Sequence, residues 1–137
     1  MQNYVLMPGC CVRARIDHAG LGNWLYIAVE VALVAAARNC TLVLPTVLHQ
    51  WFRLPPRVRA PSEQQCEDIR CMQAASKSAL TRQRATVALG VLSFEDARAQ
   101  TFRALFAHPN AAPSTPTAFR TAVHLRTVSD VACHTHV

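Results

Sequence analysis

The sequence predicts an α/β fold in which a mostly parallel sheet carries helices on its faces. Short apolar runs alternate along the chain with stretches of helical periodicity, and this alternation is typical of parallel sheets. The 137 residues are 51% hydrophobic and 16% charged, which suits one buried core and excludes disorder of the whole chain. We therefore expect a single α/β domain over residues 1–137, with Pro-rich loops at residues 51–62 and 108–117.

The first part of the chain predicts two strands, a long helix and a third strand. Residues 4–7 are a short apolar run ended by Pro-Gly, and residues 12–16 alternate apolar with charged side chains. Asn23 is a credible N-cap for a helix over residues 24–38, which is apolar around most of its circumference and should be buried. An asparagine follows where a helix end favours a left-handed residue. Residues 41–44 then form a short buried strand.

The second part of the chain has weaker signals. Residues 63–83 have weak helical character, and residues 86–92 resemble a strand that Gly90 weakens. Ser93 begins a sequence like a capping box, which predicts a helix to about residue 107. A last strand is expected over residues 121–125.

The net charge of +6 is a poor indicator of nucleic-acid binding in this chain. It rests on thirteen arginines and a single lysine, a skew that favours coding bias over selection of a basic surface. Arginines 53, 57 and 59 lie beside two aromatic residues and could contact nucleic acid by charge and stacking. Because prolines interrupt this stretch, a solvated loop is the favoured interpretation, and we expect no nucleic-acid partner.

The compartment of the protein is left open by the sequence. The apolar run over residues 24–37 is too short for a transmembrane helix and carries Glu30, and the N-terminus lacks the basic region of a secretory signal. The chain as it stands therefore suggests the cytoplasm, whereas a start further upstream would suggest the secretory pathway. Six cysteines allow disulfides, but we expect Cys40 to be a buried thiol, and we assign no metal site.

Two short motifs carry the chemistry that the sequence suggests. Gly20-Leu21-Gly22-Asn23 precedes the long helix, and glycines at a helix N-terminus allow close approach of an anionic ligand to free N–H groups. The alternative is a tight strand-to-helix turn with no ligand.

The second motif follows the predicted last strand. It contains His124, Arg126, Ser129 and Asp130. An arginine beyond the carboxyl end of a strand can hold a phosphate bidentately. The alternative is an Arg–Asp pair at the surface.

Together these motifs resemble the GDP-fucose-dependent fucosyltransferase superfamily, in its protein O-fucosyltransferase-like form. The resemblance rests on Gly-Leu-Gly-Asn at 20–23, on Arg-Asn-Cys-Thr-Leu-Val-Leu-Pro at 38–45 and on His-Leu-Arg-x-x-Ser-Asp at 124–130. It implies a Rossmann-like sheet, as in the N-terminal lobe of a GT-B glycosyltransferase. The implied reaction transfers fucose from GDP-fucose to a hydroxyl of a protein or glycan acceptor, without a bound cofactor or metal.

The resemblance also implies roles for individual residues. Arg126 would hold the diphosphate and stabilise charge as GDP departs, and Asn23 would line the cleft beside fucose and acceptor. Gly20, Gly22, His124, Ser129 and Asp130 would contact the donor or brace Arg126.

The sequence also departs from the superfamily's pattern. Val128 replaces a glycine of the second motif, and the chain ends seven residues after Asp130. Because a second lobe supplies most of the nucleotide pocket in this superfamily, we expect little activity from this chain alone. The alternative is a non-catalytic α/β module or degenerate remnant that binds a partner.

Overall fold

The computed structural model describes residues 10–16 and 20–110, and it confirms the predicted mixture of strands and helices. A small open sheet has three parallel strands in the order β2-β1-β3 and is flanked by helices. The elements in chain order are β1 (Cys11–Ala14), α1 (Leu21–Arg38), β2 (Thr41–Val43), α2 (Thr46–Trp51), β3 (Glu67–Ile69), α3 (Ala79–Leu89) and α4 (Phe94–Phe106). The strands predicted at residues 4–7 and 121–125 lie outside the described residues.

Strand β1 is the centre of the described sheet. Val12 is opposite Leu42 of β2 on one side and Glu67 of β3 on the other. From β1 the chain therefore passes through α1 to form β2 on one side of β1, and it later returns to form β3 on the other side. In α/β proteins such a reversal of direction commonly marks the ligand site, beyond the carboxyl ends of the strands.

Helix α1 is the main core element. It contacts β1, β2, α3 and α4, which explains why its sequence is apolar around most of its circumference. Its largest fully buried side chains are those of Ile27, Val31 and Leu33. The helix ends as the sequence predicts, with Asn39 in the left-handed conformation at φ 55°.

By length and mean hydropathy, α1 is the one helix among the described residues that could cross a membrane. Its mean hydropathy is 1.3, and 61% of its length is buried within the structure. Glu30, near its middle, is ion-paired and buried. Packing within the chain therefore accounts for most of the apolar surface of this helix.

Two adjacent cysteines cross-link all three strands near their amino ends. Cys10 is disulfide-bonded to Cys40 before β2, and Cys11 is disulfide-bonded to Cys66 before β3, with Cα–Cα distances of 4.9 Å in both. Cys71 is also disulfide-bonded. The expectation that Cys40 is a free thiol is wrong, because the parallel register aligns cysteines that are 30 and 55 residues apart.

The predicted strand over residues 86–92 is wrong, because residues 79–89 form helix α3. The side chain of Ser78 accepts a hydrogen bond from the backbone N–H of Thr81, and Gly90 ends the helix at φ 68°. Gly90 is therefore a helix C-cap, where a left-handed glycine is favoured. Thr86 and Val87 suggested a strand because β-branched residues favour extended backbone, but the two caps and packing against α1 outweigh that preference.

The weak helix expected over residues 63–83 is also wrong in its first part, where β3 forms. Glu-Asp-Ile is a poor strand sequence by propensity. Strand β3 is held instead by the Cys11–Cys66 disulfide and by the pairing of Asp68 with Arg13 of β1 and with Arg15 just after it. The helix predicted from Ser93 is confirmed as α4, and the Ser93 side chain accepts from the backbone N–H of Asp96.

A buried carboxylate ties α1 to α4. Glu30 is only 3% exposed. Nη2 and Nε of Arg98 donate to its Oε2 at 3.0 and 3.3 Å, and the Ser76 hydroxyl donates to its Oε1 at 3.1 Å. Arg98 also lies 4.8 Å from the centre of the Phe94 ring. Every oxygen of this carboxylate therefore has a donor, as burial of a charge requires.

The Cys11–Cys66 disulfide should stabilise the fold through the 55-residue loop that it closes. We expect the double variant Cys11→Ala/Cys66→Ala to lose about 2–4 kcal/mol of unfolding free energy, because the unfolded chain regains loop entropy. Urea unfolding of the oxidised proteins measures this loss. Ser62→Ala, an exposed change near Cys66, is the matched control, and equal stability of the double variant and the control would contradict the expectation.

Loss of Arg98 should leave the buried Glu30 carboxylate short of donors. We expect Arg98→Ala to reduce the unfolding free energy by about 2–3 kcal/mol, since an uncompensated buried charge is destabilising. The double variant Glu30→Leu/Arg98→Met should recover most of this loss, because it removes both partners. Arg103→Ala, at an exposed position of α4, serves as the control and should stay within about 0.5 kcal/mol of the parent.

Candidate functional site at the amino end of helix α1

The first turn of α1 lies after the carboxyl end of the central strand. Strand β1 ends at Ala14, and α1 begins at Leu21. The carboxyl ends of parallel strands form one edge of the sheet. Ligands commonly bind at this edge where the strand order reverses, which here is between β1 and β3. The first sequence motif therefore lies at the position where a ligand site is expected.

The helix begins earlier than the sequence predicts. Gly20 is the N-cap, with extended backbone at φ −75° and ψ 168°, and its carbonyl accepts the first helical hydrogen bond from Trp24 N–H at 3.0 Å. The expectation that Asn23 is the N-cap is therefore wrong. Glycine is acceptable at an N-cap, and the earlier start carries Asn23 into the buried first turn. Gly22 is also part of this turn.

The first turn of α1 offers free backbone donors. No acceptor among the described residues pairs with the N–H groups of Leu21, Gly22 or Asn23, and no side chain caps the helix. The turn contains no acidic residue. Unpaired N–H groups and the helix dipole together favour an anion or another acceptor-rich group at this end.

The side chains of Asn23 and Trp24, in the same turn of α1, carry two buried donors. Asn23 is only 2% exposed. Its Nδ2 atom and Nε1 of Trp24 are buried without a hydrogen-bond partner among the described residues. A buried donor without a partner costs about 1–3 kcal/mol of free energy. A group whose acceptor oxygens reach these donors would therefore recover part of that free energy on binding.

A charged cluster spans β1 and β3 near the same edge. Arg13 donates through Nε to Oδ1 of Asp68 at 2.7 Å, and Arg15 donates through Nη1 to Oδ2 at 2.9 Å. The hydrogen bond from Arg13, with charge attraction from both arginines, lowers the pKa of Asp68 below its ordinary value. The same hydrogen bond raises the pKa of Arg13. The cluster holds β3 on β1.

The structure brings part of the predicted site together. Gly20, Gly22 and Asn23 form one turn at the carboxyl edge of the sheet. The other four predicted site residues, His124, Arg126, Ser129 and Asp130, lie outside the described residues.

Two features of this edge were not predicted from the sequence. One is the indole of Trp24, which is a buried donor. The alternation over residues 12–16 could have placed Arg13 and Arg15 on one strand face, but their partner Asp68 could not be found without predicting β3.

The Asp68 cluster should make stability depend on acidic pH. Because the folded-state pKa of Asp68 is lowered, its contribution is complete above the unfolded value of about 4 and is lost as pH falls through the folded value. We expect Asp68→Asn to be less stable than the parent at pH 7, and the difference to shrink as the pH is lowered below about 4. Urea unfolding over this pH range measures the difference. Glu63→Gln removes an exposed carboxylate and should show no such convergence.

Comparison of the whole chain with protein-family models, with curated proteins and with solved structures finds no match in any of the three. Similarity therefore assigns neither a family nor an activity to the chain. The interpretation of the α1 site depends on its own residues and on their geometry.

Proposed function

We propose that this chain is the N-terminal lobe of a fucosyltransferase-like glycosyltransferase that uses GDP-fucose, and that it supplies part of the donor site. The observation that carries the proposal is the buried Nδ2 of Asn23, which has no partner in the described part of the chain and lies in the first turn of the helix that follows the central strand. Asn23 is also the residue that the motif resemblance implicates beside the fucose and the acceptor. A nucleotide sugar is rich in acceptor oxygens and carries the negative charge that a helix amino end favours.

Each part of the site has a separate role in this proposal. The donors of the α1 first turn bind and orient oxygens of the donor sugar and its phosphates. Arg126, from the second motif, holds the diphosphate. When the acceptor hydroxyl attacks the anomeric carbon, a new C–O bond forms, the bond from that carbon to the β-phosphate oxygen breaks, GDP leaves with the electron pair, and the hydroxyl proton passes to water. Fixed positive charge and N–H donors stabilise the developing charge on GDP, which is commonly a large catalytic effect.

The disulfides support the secretory pathway as the compartment. Disulfides form and persist in oxidising compartments and are rare in the reducing cytosol. Described cysteines 10, 11, 40, 66 and 71 are all disulfide-bonded. Fucosyl transfer to a protein or glycan acceptor suits the same compartment, so the two lines of argument agree.

A non-catalytic partner-binding module is the second candidate function. Leu80 and Val87 of α3 are 53% and 74% exposed, and Leu92 after α3 is 99% exposed. Leu80 and Val87 are seven residues apart and therefore lie on one face of the helix, and adjoining exposed apolar side chains are typical of an interaction surface. A folded chain that binds no nucleotide would favour this candidate.

The proposal is tested by isothermal titration calorimetry with GDP, GDP-fucose and guanosine. We expect binding of GDP and GDP-fucose and no binding of guanosine at the same concentrations, because the described donors address the phosphates and the fucose, which guanosine lacks. Arg126→Ala should abolish GDP binding. Absence of heat with both nucleotides at millimolar concentration, for a folded protein, would overturn donor binding by this chain.

The variant Asn23→Leu separates binding from folding. We expect about tenfold weaker binding of GDP-fucose, corresponding to one lost hydrogen bond. Its unfolding midpoint should equal or exceed that of the parent, because an apolar side chain of similar shape removes a buried donor that lacks a partner. Gln83→Leu, at an exposed position of α3, is the control and should bind as the parent does. Unchanged affinity in Asn23→Leu would remove Asn23 from the site.

A further inference from the structure

A cleft of about 420 Å³ lies at the opposite end of α1 from the candidate donor site. The C-terminal turns of α1, the start of β2, the loop at residues 55–58 and helices α3 and α4 surround it. At 1.5 Å per residue, Ala36 in its wall is about 20 Å along the helix from Asn23. The two sites are therefore separate.

Small side chains create the cleft. Ala32, Ala35 and Ala36 of α1 line one wall, and Ala104 of α4 lines another. Alanines contact a flat molecule without filling the space between the helices. Larger apolar side chains, including the buried Leu42 and Leu105, also line the cleft. A cleft of this volume and character is in the range of small-molecule sites.

A few polar groups converge on this apolar cleft. Thr101 lines it although its residue is only 8% exposed, and Gln100 and Asn39 lie beside it. Arg57 is the one charged residue among the described residues of the lining. Among the described residues, the side chains of these four residues form no hydrogen bond or ion pair.

The backbone of Arg57 is fixed although its side chain is not. Val58 N–H donates to the Pro55 carbonyl at 3.0 Å, which closes a turn that contains Arg57. The next residue, Arg59, joins β2 through a hydrogen bond from its N–H to the Leu42 carbonyl at 2.9 Å. The guanidinium is therefore attached to a constrained loop at the cleft and lacks a carboxylate partner among the described residues.

We propose that this cleft binds a small organic anion with a flat apolar body, such as an aromatic carboxylate or sulfonate. The alanine walls contact the faces of the body. Arg57 pairs with the anionic group, for which a planar guanidinium with several donors is well suited. Asn39, Gln100 and Thr101 supply the remaining hydrogen bonds. This site goes beyond the proposed donor site and does not depend on it.

The proposal is tested by fluorescence titration with two probes. 8-Anilinonaphthalene-1-sulfonate has flat aromatic rings and an anionic group, and N-phenyl-1-naphthylamine has the rings without the charge. We expect the sulfonate probe to bind the folded protein at one site, and Arg57→Ala to weaken it about tenfold while the neutral probe is unaffected. Arg53→Ala, on the same loop but outside the lining, should leave both affinities unchanged.

A second pair of variants tests the location. Ala104→Leu should fill the cleft and abolish binding of the sulfonate probe, whereas Ala99→Leu on α4, an exposed position outside the lining, should bind as the parent does. Circular dichroism and thermal unfolding confirm that each variant is folded. Equal binding by Ala104→Leu and Ala99→Leu, or by Arg57→Ala and Arg53→Ala, would overturn the proposal.

Competition separates this site from the donor site. Because the sites lie at opposite ends of α1, GDP should not displace the sulfonate probe. Displacement of the probe by GDP would overturn the assignment of a separate organic-anion site. If GDP does not bind, the titration with the sulfonate probe still tests the cleft fully.

Discussion

The alignment of two adjacent cysteines with both neighbouring strands is the constraint on which the described structure depends. Strand β1 has four residues and β2 and β3 have three each, so few backbone hydrogen bonds hold the register. The disulfides from Cys10 to Cys40 and from Cys11 to Cys66 continue that register covalently. Because the strands are fixed, the start of α1 has a defined position relative to the carboxyl edge of the sheet.

Helix α1 connects this sheet to both candidate sites. Its first turn presents donors without a described partner at the carboxyl edge of the sheet, and its last turns form a wall of the cleft near Cys40. Between these ends, Glu30 pairs with Arg98 of α4, which favours one rotation of the helix about its axis. A single element with a buried ionic anchor can therefore position two separate sites without a direct contact between them.

The sequence predicted the elements whose signals are local. The alternation before α1, the left-handed Asn39 and the Ser93 cap each depend on neighbouring residues, and they led to the correct elements. Strand β3 could not be predicted, because a distant disulfide and cross-strand ion pairs hold it. At the candidate site, Asn23 was identified, but its burial and its missing partner depend on tertiary packing. The indole of Trp24 was missed for the same reason.

The distribution of the arginines changes the meaning of the net charge of +6. Arg13 and Arg15 share Asp68, Arg38 pairs with Glu67, and Arg98 pairs with Glu30. These cations hold strands and helices together and do not form one basic surface. Long-range attraction of anions follows from the net charge, but specific binding needs donors that lack partners within the fold. Among residues 10–16 and 20–110, the first turn of α1 supplies such donors without a formal charge and Arg57 supplies a charged one, so the two sites should differ in their dependence on salt.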